Sequence, residues 1–104
     1  MPQRFDHVRF QFVNLGSASE ERGTVIIREG EMVLEISGER GDSDYLVQGK
    51  LHGHVYSGDE TNPITGSPPV HARWADLGSI YVGLWIEEGY DYLFSFRLPG
   101  QASS

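Results

Sequence analysis

The chain has 104 residues, fifteen acidic against eight basic for a net charge of −7, and no cysteine. That length fits one domain spanning 1–104, and the missing cysteine rules out a disulfide framework, a thiolate nucleophile and a Cys-based zinc site. The basic residues are scattered among carboxylates, so no cationic patch is expected for nucleic acid or for a membrane surface.

With 38% hydrophobic and 22% charged residues the chain is apolar enough to fold unaided. Its beginning, Met1-Pro2-Gln3-Arg4-Phe5-Asp6, lacks the apolar core of a signal peptide. The expectation is a soluble, cytoplasmic protein.

Apolar residues alternate along most of the chain, which is the signature of half-buried strands. In 5–13 the residues Val8, Phe10 and Phe12 share a face. Stretches 24–28 and 31–37 flank Glu29-Gly30 and form a hairpin, with Met32, Leu34 and Ile36 on one face of its second strand. After the polar connection 38–43, one long strand is expected over 45–56. Segment 57–69, with three prolines and two glycines, is expected to be a long loop. The remainder gives three strands, 70–75, 79–86 and 90–98, joined by Asp76-Leu77-Gly78 and Glu87-Glu88-Gly89 into a meander. Residues Tyr90, Tyr92, Phe94, Phe96 and Leu98 share one face of the last strand, opposite Asp91, Ser95 and Arg97, and 99–104 form a frayed tail. Nothing carries helical periodicity.

Seven or eight antiparallel strands with hairpin connections predict an all-β barrel or sandwich. By fold analogy a pleckstrin-homology-like barrel also has two successive meanders, but its capping C-terminal helix has no counterpart here.

Two features bear on chemistry. In a strand, His52 and His54 of His52-Gly53-His54 would project from one face, with His71 and Glu60 as further ligands for a divalent metal such as zinc, iron or manganese. This H-x-H pattern resembles the cupin metal site, which would imply a small barrel holding a metal or ligand. The chain departs from that family, since no Gly stands six residues before His52 and the second cupin motif is missing around His71.

The other feature is aromatic. Residues 80–86 are apolar on both faces, Ile80, Val82, Leu84 and Ile86 on one and Tyr81 and Trp85 on the other. Tyr and Trp join an apolar body to a polar tip, so Tyr81 and Trp85, with Tyr56 and His71, are the candidates for contacting a ligand or partner. The adjacent carboxylates Asp59-Glu60 and Glu87-Glu88 sit in expected turns without an acid–base partner, and no nucleophile elbow or phosphate loop is present.

The sequence therefore points to a non-enzymatic binding or interaction domain that self-associates, with no cofactor. The alternative is a cupin-like or calycin-like barrel with a metal or small ligand near His52, His54 and His71.

Overall fold

The alternating pattern resolves into eight strands: β1 (Gln3–Val13), β2 (Ala18–Arg28), β3 (Glu31–Ser37), β4 (Asp44–His52), β5 (Val55–Glu60), β6 (Val70–Asp76), β7 (Tyr81–Glu87) and β8 (Tyr90–Phe96). The structure is a computed structural model that describes residues 2–37, 44–60, 70–87 and 90–99. Each strand pairs antiparallel with the next, and β8 pairs back onto β1, so the eight strands close a barrel. Of the expected connections, 38–43, 61–69 and 88–89 lie outside the described residues, as does the tail from 100 onward. Among the described residues no helix is long and apolar enough to cross a membrane.

Several boundaries differ from the sequence expectation. The single strand expected over 45–56 is two strands, because the chain reverses at Gly53-His54 and His52 pairs with Val55. Gly53 has φ +64° at the first central position of that turn, the glycine-first form of a two-residue hairpin. Residues 57–60 belong to β5 rather than to a loop. Strand β2 begins at Ala18, well before 24, although its first half carries Ser19, Glu20, Glu21 and Arg22 and shows no apolar alternation. Pairing with β1 across the turn holds that polar half in place.

That turn is built on Asn14, whose Oδ1 accepts from Gly16 N and Ser17 N, both at 2.9 Å. A short polar side chain that bonds backbone two and three residues on is a standard device for reversing a chain. Between Phe5 and Val8 the β1–β2 register slips by a bulge in which His7 takes φ +60°. The bulge keeps Phe5 on the same inward face as Val8, Phe10 and Phe12 despite the odd spacing.

The strands are strongly tilted. One row leaves β1 at Phe5, crosses Val25, Leu34, Val47 and Glu60, and resumes one residue beyond the Asp59–His71 pair, through Val70 and Glu87 to Tyr90. Tyr90 lies beyond Leu93, the partner of Val13, so one circuit climbs the length of β1. Such a stagger sets the width of the barrel.

Aromatic side chains fill that width. Phe94 stacks on Phe12 at 5.8 Å and meets Trp85 edge-on at 5.7 Å and Trp74 at 6.0 Å. Phe10, Phe96 and Tyr81 continue the stack, each adjacent pair 4.9 Å apart. On the far wall Val25, Met32, Leu34, Ile36 and Val47 complete the core, and among the described residues no polar or charged side chain is fully buried. Both indoles find acceptors, Trp74 Nε1 on Met32 Sδ at 3.1 Å and Trp85 Nε1 on Glu87 Oε1 at 3.0 Å.

Space for Trp74 comes from an inward glycine. A Cβ at Gly49 would collide with the Trp74 benzo ring, which is buried and has nowhere to retreat. Gly49→Ala is therefore expected to cost about 1–3 kcal/mol by overpacking. Trp74→Phe removes the colliding atoms, so in denaturant titrations the double variant should lose at least about 1 kcal/mol less than the two single losses summed. Simple additivity would show that this contact does not shape the core.

Candidate functional site

The closed barrel fixes which side of each strand meets water, and one sector of its outer wall is apolar. Val13 on β1 pairs with Leu93 on β8, which pairs with Leu84 on β7, so three apolar side chains stand in a row across three strands. Their exposures are 47%, 63% and 41%. Val82 and Ile86, half-buried, flank Leu84 along β7. A hollow of about 470 Å³ lies over this row, floored by Val82, Gly83, Leu84 and Leu93 and edged by Gln11 and Ser95. Gly83 has no alternative here, since a Cβ at this position would collide with the Arg73 carbonyl oxygen and the Trp74 backbone on β6.

The rest of the wall is different. Arg4 with Asp6, Arg9 with Glu20 and Arg28 with Glu31 form exposed ion pairs around β1, β2 and β3. Exposed pairs of this kind stabilise little, but they keep their sector hydrated. Two charges border the apolar row without an ion-pair partner among the described residues: Arg73, beside Leu84 on β6, and Asp91, two residues before Leu93 on β8.

The aromatic candidates lie inside. Tyr81 and Trp85 are 7% and 2% exposed and point into the barrel, so neither offers a contact surface. The alternation expected along this strand holds, and closure puts the Tyr81 and Trp85 face on the core and leaves Val82, Leu84 and Ile86 outside. The residues that sequence reasoning passed over are Leu93 and Val13. Leu93 was legible as the one large apolar residue on the face otherwise carrying Asp91, Ser95 and Arg97.

The two tyrosines gather at the barrel end that bears the β4–β5 turn. Tyr56 stacks on Trp74 at 5.8 Å, and burial followed by the nearby Asp76 carboxylate raises its phenol above the ordinary value. Tyr81 is pushed up to about 12, by burial first, then by Asp76 and Tyr56. Trp85 sits toward the opposite end, where Glu87 accepts from its indole and from Tyr45 Oη at 3.4 Å. This carboxylate ties β7 to β4 across the barrel mouth.

The histidines do not meet. His52 ends β4 and His54 occupies the turn, so they are not two positions of one strand face; both are exposed. His71 lies on the outer wall, where its Nδ1 bonds Asp59 Oδ1 on β5 at 2.6 Å. The Asp59–His71 pair is four residues along β5 from Val55, or about 13 Å at roughly 3.3 Å per residue. Nitrogens sharing one metal at about 2.1 Å each stand no more than about 4 Å apart. Among the described residues no three His, Asp or Glu side chains form a metal-binding group, and the Glu60 side chain lies outside them.

Comparison with known proteins adds no assignment: no family model matches the chain, and no curated protein or solved structure gives a significant match.

The tyrosine shift carries a sign. Above pH 10 the unfolded chain releases phenol protons that folded Tyr81 retains up to about 12, so stability falls as pH climbs through that interval. Tyr81→Phe should flatten this part of the stability–pH curve, followed by thermal melts, and should remove the most delayed step in the absorbance of tyrosinate. An unchanged curve would mean that the Tyr81 hydroxyl is hydrated.

Proposed function

We propose that the protein is a non-enzymatic interaction module that forms a homodimer through the outer face of β1, β8 and β7. The observation that carries this reading is the in-register row Val13–Leu93–Leu84, exposed on a wall that is otherwise largely polar and charged. Single exposed leucines are commonplace on protein surfaces, whereas a contiguous apolar patch rimmed by charge marks a contact site.

A second copy suits this patch because the patch is complementary to itself. Arg73 lies one strand beyond Leu84, about 4.8 Å, and Asp91 lies two residues from Leu93, about 6.6 Å. A two-fold axis in the plane of the patch, passing near its centre, brings each copy's Arg73 to the other copy's Asp91. That is the isologous arrangement of most homodimers. The exposed side chain of Leu15, in the turn after β1, extends the patch toward the area a stable interface needs, on the order of 800 Å² per partner.

Analytical ultracentrifugation tests the reading. The natural chain should sediment as a dimer, and Leu84→Lys, which places a charge at the centre of the contact, should sediment as a folded monomer. Arg73→Asp and Asp91→Arg should each weaken the dimer about tenfold, and the double exchange should restore it. A natural chain that stays monomeric at its highest soluble concentration would refute the proposal.

A further inference from the structure

The barrel closes over only part of β1. Its edge toward β2 is paired from Gln3 with Ile27 to Val13 with Ala18, interrupted only at the bulge. Its edge toward β8 is paired only from Phe10 with Phe96 to Val13 with Leu93. Over 3–9 the strand therefore keeps one edge in the sheet and offers the other edge no ladder partner among the described residues.

A cleft of about 500 Å³ opens where the two strands part. Its apolar residues are Val8, Ile80, Phe96 and Leu98, and Arg9 and Arg97 line it from opposite strands. Arg97 has no ion-pair partner among the described residues, and Arg9 reaches only Glu20, at 3.8 Å. The one carboxylate on β1, Asp6, is engaged by Arg4 at 3.1 Å and by the Thr24 hydroxyl at 3.2 Å. In a chain of net charge −7, two guanidinium groups facing one apolar cleft mark it as a place for negative charge.

We infer that this edge takes up an extended acidic segment of a partner protein, which adds as a strand beside β1. Backbone groups of 3–9 bond the segment, alternate apolar side chains enter the cleft, and the acidic side chains between them meet Arg9 and Arg97 on the outside. Strand addition to an open edge draws affinity from main-chain bonds and selectivity from alternate side-chain positions. The bulge at His7 breaks the regular spacing of the edge, which makes it a poor template for indiscriminate strand pairing. This surface is distinct from the row centred on Leu84, so the inference stands whether or not the protein dimerises there.

The test uses three synthetic eight-residue peptides with capped ends and the Leu84→Lys protein, so that the proposed dimer does not interfere. One peptide alternates Val and Glu, one alternates Val and Lys, and the third is the Val–Glu peptide N-methylated at alternate amides. By fluorescence anisotropy the Val–Glu peptide should bind at least about tenfold more tightly than either of the others. Arg9→Glu with Arg97→Glu should reverse the preference between Glu and Lys peptides, and Arg97→Gln alone should weaken it. Equal binding of acidic and basic peptides, insensitivity to N-methylation, or no binding of the Val–Glu peptide would each overturn the inference. If the Leu84→Lys protein sediments as a dimer that Arg9→Glu dissociates, the edge serves a second copy instead, and the inference also fails.

Discussion

Everything in this molecule depends on the pairing of β1 with β8. Four residue pairs, Phe10 to Val13 against Phe96 to Leu93, turn a curled sheet into a closed wall. Strand pairing is short there, and the rings behind it reinforce the join: Phe10 lies 4.9 Å from Phe96, and Phe12 stacks on Phe94 at 5.8 Å. Closure removes most of the free strand edge that an open sheet of this length would leave. It also assigns inside and outside to every alternating strand.

The interior is lined by aromatic rings in mutual contact. An eight-stranded barrel has room for side chains or for one small ligand. Here Trp74, Trp85, Phe10, Phe94 and Phe96 converge on the axis, and Gly49 gives Trp74 the space it occupies. The polar tips of these rings reach acceptors near or within the core, on Met32 and Glu87, so the indoles are buried without an orphaned N–H. This organisation moves interest from the barrel lumen to its outer wall.

On that wall two adjoining sectors break the general polarity, the row Val13–Leu93–Leu84 and the cleft below it where β1 leaves β8. Both follow from the tilt of the strands. The stagger that closes the barrel carries the lower half of β1 past the end of β8, so the seam that unites the sheet also leaves an edge without a ladder partner among the described residues. The apolar row crosses the seam at the Val13–Leu93 pair and continues onto β7, which carries large hydrophobic residues on both faces although only one face is needed for the core. Surplus hydrophobicity of this sort is what the proposed dimer would cover.

Local pattern alone sets the extended backbone, the alternation that groups Val8, Phe10, Phe12, Met32, Leu34, Ile36, Phe94 and Phe96 on core faces, and the meander of β6 to β8. These are local properties, set by a two-residue period and by glycine at turns. Tertiary structure decided the rest. The polar first half of β2 is a strand because β1 holds it, and His52-Gly53-His54 is a turn rather than a strand face because β4 and β5 pair across it. Closure sent Tyr81 and Trp85 inward and left Leu84 and Leu93 in water. Period-two alternation says that two faces differ, but which face becomes the core depends on where the far ends of the chain meet.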